Sequence, residues 1–212
     1  MARIYDGVVL GDGAYVDETA IIGIPPIGAE PGDLETHIGP GAVIRSHTVI
    51  YAGVKIGARL NTGHGGMIRE DNILGDDVSV GTNAVLEYGN RLGNRIRVHS
   101  GCFLENGVVE DDVFFGPHVV FTDDPHPMCP RYRDCVGGPI VRRQASVGAN
   151  VTLLPGVEVG EGALIGAGSV VADTIEPGVV AAGNPARVVK RIEDLTCWPG
   201  HFERPYVWRE QR

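Results

Sequence analysis

From Leu10 to Val171 the large apolar residues recur every six positions. The spacing matches neither the alternation of a two-faced strand nor the period of about 3.6 that marks a helix face. Written in sixes, the chain reads Ile38-GPGAV, Ile44-RSHTV, Ile50-YAGVK, Ile56-GARLN and onward without a gap to Leu104. A one-residue slip leads into Val109-EDDVF, Phe115-GPHVV and Phe121, and after a loop the period resumes from Val141 to Val171. Three earlier blocks begin at Leu10, Val16 and Ile22, which makes twenty-four in all, and only Thr62 puts a polar side chain in first place. This pattern predicts an all-β solenoid: a prism of three flat parallel sheets, with one short strand and one turn per block. The first residue of each block points at the axis. Glycine, frequent in second place, would supply backbone torsions that other residues avoid. At three blocks per turn the chain makes about eight coils, each burying its face only against its neighbours.

Three segments leave the period. Residues 23–37 (GIPPIGAEPGDLETH) and 122–140 (TDDPHPMCPRYRDCVGGPI) read as insertions in a β-helix that spans residues 1–186. From Arg187 the run RVVKRIEDL spaces its apolar residues as a helix does, so a C-terminal capping helix and tail are expected over 187–212. A cap is needed because a solenoid end otherwise exposes strand edges and core. Trp198, Phe202, Tyr206 and Trp208 of the tail are expected to pack on that helix or on a neighbouring subunit.

Composition adds exclusions. The 31 glycines could signal disorder, but 43% hydrophobic residues spread along the chain argue for a packed core instead. A net charge of −9 argues against nucleic acid or an anionic membrane surface as the main partner. No long apolar run or export-type leader is apparent, so a cytoplasmic protein is the expectation. Four cysteines do not make a disulfide framework in a chain this long.

The hexads, the ending GNPARVVKRI and the excursion opening FTDDPHP resemble the hexapeptide-repeat acyltransferases, whose prism is a left-handed parallel β-helix. Over residues 38–191 the likeness is to two kinds, the maltose and galactoside O-acetyltransferases and the N-acetyltransferases of nucleotide-linked amino sugars. The resemblance implies a homotrimer with each active site in a groove between adjacent prisms. It also implies acetyl-coenzyme A as acyl donor.

Acyl transfer from a thioester needs a base for the acceptor and a held pantetheine arm. His126, in GPHVVFTDDPHP, resembles the catalytic His-Pro of the sugar O-acetyltransferases and is the first candidate for base. Asp123 or Asp124 could orient it or bind a substrate amine. His99 sits in second place of its hexad, with Glu105 and Asn106 shortly after; in the amino-sugar enzymes a carboxylate and an amide in this neighbourhood hold the sugar amine. His64 and His118 could line the same groove. By resemblance, Ala149 and Ala167, 18 residues apart, let the pantetheine arm approach the backbone, and Arg187 and Lys190 meet the coenzyme's phosphates.

Cys129 and Cys135 with His126 and Asp124 offer possible zinc ligands, but their spacing is longer than paired ligands use, and no metal is assigned. The expected function is transfer of an acetyl or other short acyl group to the amine of a nucleotide-linked amino sugar. A sugar O-acetyltransferase and a tetrahydrodipicolinate N-acyltransferase are the alternatives within the class. Outside it stand a zinc carbonic anhydrase, which His64 and His99 suggest but Leu104 lacks a third histidine for, and a non-catalytic scaffold.

Overall fold

The computed structural model describes residues 2–211 and shows the prism. Among the described residues the first sheet has nine strands, from Arg3–Ile4 to Val170–Val171. The second has eight, from Val8–Leu10 to Glu158–Val159, and the third ten, from Tyr15–Val16 to Ala186–Arg191. Strands pair in parallel one coil apart, as Val80 does with Val98 and Val98 with Phe115. First-place residues from Ile22 to Val171 fill the axis, none more than 5% exposed, and Leu10 and Val16 at the open end are half-buried. The polar exception is satisfied there: Thr62 Oγ1 accepts from the Arg45 amide at 2.9 Å and lies 3.1 Å from Thr48 Oγ1.

Glycine in second place serves contact, not torsion. A Cβ on Gly81 would strike the Ser100 amide nitrogen, and one on Gly148 would lie 2.6 Å from that of Ala167. The left-handed torsions fall in fourth place instead, on residues such as Asn83 (φ 53°) and Gln144 (φ 59°).

The three edges of the prism differ. On the edge joining the second and third sheets, each side chain caps the coil before it. Asp76 accepts from the Ala58 amide at 2.8 Å, Asn94 from that of Asp76 at 2.9 Å, and Asp111 from that of Asn94 at 2.8 Å. Arg59 pairs with Asp77 beside this ladder, and Arg95 with Asp112.

The expected capping helix is a β-strand. Ala186–Arg191 runs antiparallel to Val179–Gly183, whose other edge pairs with Leu164–Ile165. An exposed sheet edge offers ready hydrogen-bond partners, and the β-branched Val188–Val189 pair suits a strand. Among the described residues only two short 3₁₀ segments follow, at Ile192–Asp194 and Val207–Gln211. Strand ends also trim both insertions, since Ile21–Ile24 and Thr36–Ile38 flank the first and Ile140 already pairs with Val108 and Glu158 after the second. The tail turns back along the third sheet: Arg209 stacks 3.9 Å from the Tyr206 ring centroid and donates to Ser146 Oγ at 2.7 Å. Phe202 and Trp208 meet at 5.2 Å, and Trp198 stays exposed. Among the described residues no helix is long and apolar enough to cross a membrane.

Candidate active site

The one-residue slip builds the most distinctive feature of the surface. Between Leu104 and Val109 the corner joining the first and second sheets is one residue short, so Arg91 pairs with Val108 and Leu92 with Val109. Asn90, fully buried, braces the short turn: its amide nitrogen donates to Glu87 O at 2.8 Å and Leu104 O at 3.1 Å, and its oxygen accepts from Gly107 N at 3.0 Å. At this shortened corner, called the notch below, Tyr88 donates a 3.1 Å hydrogen bond to Asp123 Oδ2, 35 residues on.

Glu105 lies in this notch, hydrogen-bonded to Asp123, which is only 5% exposed. Burial, the Asp123 and Glu87 carboxylates and that bond push Glu105 up to about 7, against a small opposing pull from Arg69. Arg69 is already paired, with Glu87 at 2.6 Å and Glu70 at 2.7 Å. Burial and Asp123 hold the Tyr88 hydroxyl protonated, its pKa pushed up to about 12. The notch therefore sets a Glu105 carboxyl that titrates near neutrality beside the buried Asp123 side chain, an arrangement suited to binding an amine and taking up its proton.

Asn106 lies above Tyr88, donating its amide to Tyr88 O at 3.1 Å. The excursion returns against this corner, with Gly137 N donating to Asp123 O at 2.9 Å. His126 is exposed on the excursion; Asp124 Oδ1 accepts from its backbone amide at 2.8 Å, and no partner holds its ring among the described residues.

The remaining candidates occupy the other border of the first sheet, its corner with the third. His99 is half-buried there, edge-on to Phe114 at 5.3 Å. The His118 ring covers Gly101 one coil on, and His64 Nδ1 lies 2.7 Å from Ser46 Oγ two coils below. Ala149 and Ala167 stack above on successive coils, with Gly168 N donating to Ala149 O at 2.8 Å. Arg187 and Lys190 lie on the terminal strand rather than a helix, Arg187 paired with Asp173 at 2.9 Å. One chain thus gathers its candidates on two edges. From Gly101 to Glu105 the first sheet separates them by roughly 13 Å at about 3.3 Å per residue.

The sequence reading missed Tyr88 and Asn90. A signal was available: two coil steps with one slip give a separation of 35, which places Asp123 over Tyr88. Cys129 and Cys135 are both unbridged, and among the described residues no group of three or more His, Cys, Asp or Glu could hold a metal ion.

Comparison with known proteins bears out the resemblance to the hexapeptide-repeat group. Residues 138–173 match the family model described as bacterial transferase hexapeptide (six repeats). A Staphylococcus aureus protein named "Putative acetyltransferase" is 37% identical over 128 residues, 56% of this chain and 64% of the relative. The galactoside O-acetyltransferase of Escherichia coli is 37% identical over 90 residues, 41% of this chain and 44% of that one. The chain thus spans less than two thirds of the length of these relatives. A UDP-N-acetylglucosamine acyltransferase from Bacteroides fragilis shares the fold at a TM-score of 0.71 and 16% identity, over 89% of this chain and 72% of that one.

Proposed function

We propose that the protein is an acetyltransferase that moves the acetyl group of acetyl-coenzyme A onto the amine of a nucleotide-linked amino sugar. The observation that carries this reading is the pair of adjoining acidic side chains, Glu105 raised to about 7 and Asp123 buried and bonded by Tyr88, which suit an amine. The relatives' names support acetyl transfer as the reaction class.

The working unit in this reading is a homotrimer. Outward positions of the first sheet are apolar without a break from Ile21 through Val49, Met67, Val85 and Phe103 to Val120. The second sheet interrupts Val9, Ile73 and Val108 with His37, Lys55 and Arg91, and the third interrupts Tyr15, Val43 and Phe114 with Asn61, Ser79 and Arg97. An apolar stripe of this kind marks an interface between copies. Three copies turning their first sheets to a common axis parallel to the prism bring the notch edge of each against the histidine edge of the next. Rotation about that axis preserves height. His99 and Glu105 share one coil, and His118 and Asp123 the next, so the two half-sites meet level.

Glu105 in its ionised form accepts a proton as the amine nitrogen attacks the thioester carbonyl. The new C–N bond forms, the C–S bond breaks, and the departing thiolate takes up a proton. Asp123, which accepts from the Tyr88 hydroxyl, holds the amine, and His99 or His118 of the adjoining copy faces the acyl carbonyl. Ala149 and Ala167, above them on that edge, leave room for the pantetheine arm, and Arg187 and Lys190 stand toward the coenzyme's phosphates. Asn106, Asp124 and His64 border the acceptor. His126, exposed and unbraced, is given the lesser part of shielding the groove.

A second reading, transfer to a sugar hydroxyl with His126 as base, is favoured by the likeness to the galactoside enzyme. Coenzyme A release, followed by chromatography with acetyl-coenzyme A and a panel of amino-sugar nucleotides and free sugars, separates the two. Turnover of an amino-sugar nucleotide that survives His126→Ala and falls by about 10²-fold or more in Glu105→Gln supports the first. Turnover of free sugars alone, lost in His126→Ala, supports the second.

A further inference from the structure

Below His99 the histidine edge opens into a trough of about 300 Å³ that the acetyl-transfer chemistry does not use. Its shape follows from the repeat. Second-place residues along this edge run Arg45, Gly63, Gly81 and His99, so two coils without side chains lie between a cation and an imidazole. Over three coil steps of about 4.8 Å the trough is roughly 14 Å long. Asn61, Ser79 and Arg97 form its wall on the third sheet, stacked in register.

The chemistry of the lining is one-sided. In a protein of net charge −9, no Asp or Glu lines this trough. Arg59, Arg69, Arg95, Arg142, Arg143 and Arg187 are each paired with a carboxylate. Arg97 has no carboxylate partner among the described residues, and Arg45 is held by the neutral Asn61 side chain and Thr62 carbonyl. The amides of Thr82 and Ser100 lie against the glycine floor and have no acceptor among the described residues. Two guanidinium groups, serine and threonine hydroxyls and open amides are the donors that phosphate oxygens require.

We infer that this trough is a diphosphate-binding subsite, and that it holds the phosphates of the acceptor while the neighbouring copy's notch holds its amine. The inference rests on the proposed acetyl transfer only for the second half of that statement. The position supports it: the trough lies on the N-terminal side of His99, whereas Ala149 and Ala167 lie on the opposite side, so the two substrates approach the reacting level from opposite ends. Acid notch and basic trough together select a molecule carrying an amine at one end and a diphosphate at the other.

Calorimetric titration of the whole protein with UDP, GDP and, separately, coenzyme A tests this without requiring turnover. At least one nucleoside diphosphate should bind, and Arg97→Ala should weaken it tenfold or more, with Arg97→Lys keeping part of the affinity. Coenzyme A should bind both variants as it binds the wild type. Arg97 is exposed, so these changes leave the core intact; Arg45→Ala provides an independent second variant. Failure of the wild type to bind either nucleoside diphosphate overturns the subsite. Loss of coenzyme A affinity in Arg97→Ala, with nucleoside diphosphate binding unchanged, assigns the trough to the donor and overturns it as well. Nucleoside diphosphate binding that depends on Arg97 in a protein that neither binds coenzyme A nor releases it would keep the subsite and discard the acetyltransferase reading.

Discussion

The edge joining the second and third sheets and the two edges bordering the first sheet are built from the same six-residue unit, yet they end in opposite states. On the former, Asp76, Asn94 and Asp111 cap the amides of the preceding coil, and Arg59 and Arg95 are neutralised by neighbouring carboxylates. Polar groups there are spent on one another. Along the first sheet, one edge carries Glu105, raised to about 7 beside the buried Asp123, and the other a cationic trough floored by glycine. Charges there are not neutralised by an opposite charge from the adjoining coil, which leaves them for a ligand to meet. The contrast teaches where to look in a solenoid: at the coils whose polar atoms are not satisfied from above and below.

The contrast can be broken most directly at Glu105. Glu105→Gln should lower turnover by about 10²-fold or more, and the wild-type rate should climb as pH rises through about 7, a limb the variant lacks. The same change should stabilise the protein at alkaline pH. The folded-state pKa of Glu105 is raised from 4.5 to about 7, so the fold favours the protonated form. Stability is thus lost as pH rises from 4.5 toward 7, and stays lost above it, unless the charge is removed. A melting temperature at pH 8 that is not higher in Glu105→Gln than in wild type would contradict this account of the notch.

Phe103→Glu puts a charge on the apolar face of the first sheet. In the proposed homotrimer, sedimentation should show this variant as a monomer where the wild type is trimeric, and activity should vanish although far-ultraviolet circular dichroism keeps the β signature. Retained activity in a monomer would show that one chain is sufficient. On the opposite edge, Asp111→Ala removes a cap and a partner of Arg95; it should cost about 1 kcal/mol by denaturant titration while leaving kcat and KM unchanged. Smallest is Tyr88→Phe, which deprives Asp123 of one donor. A several-fold loss of kcat is expected, in line with about 1 kcal/mol for one hydrogen bond, with a shift of the Glu105 limb in the pH–rate profile.

The period alone made the prism legible, down to the residue at each axial position, because one side chain in six must be apolar for a coil to bury anything. It failed at the C-terminus. The run Arg187–Ile192 places apolar residues compatibly with either a helix or a strand, and the deciding factor, an unpaired edge at Val179–Gly183, is invisible to local spacing. Glycine in second place was misread as a matter of torsion because its real constraint, the backbone of Ser100 or Ala167 one coil away, is not local. The site was half legible for the same reason. Glu105 and His99 look adjacent in sequence, but a strand of the first sheet puts them on different edges; in the proposed homotrimer a second copy at the same height reunites them. Tyr88 went unnoticed because its partner is two coils distant.

The short coil has a consequence for engineering by consensus. Inserting one residue between Leu104 and Val109 would restore an unbroken repeat and by any averaging of the repeats count as a repair, yet Gly138 is already packed against the Glu105–Asn106 backbone and would have to give way. It would also alter the corner where Tyr88 meets Asp123 and turn Glu105 out toward water. On the proposed function, the regular sequence would be the inert one, with one missing amino acid separating a structural rod from a reactive groove.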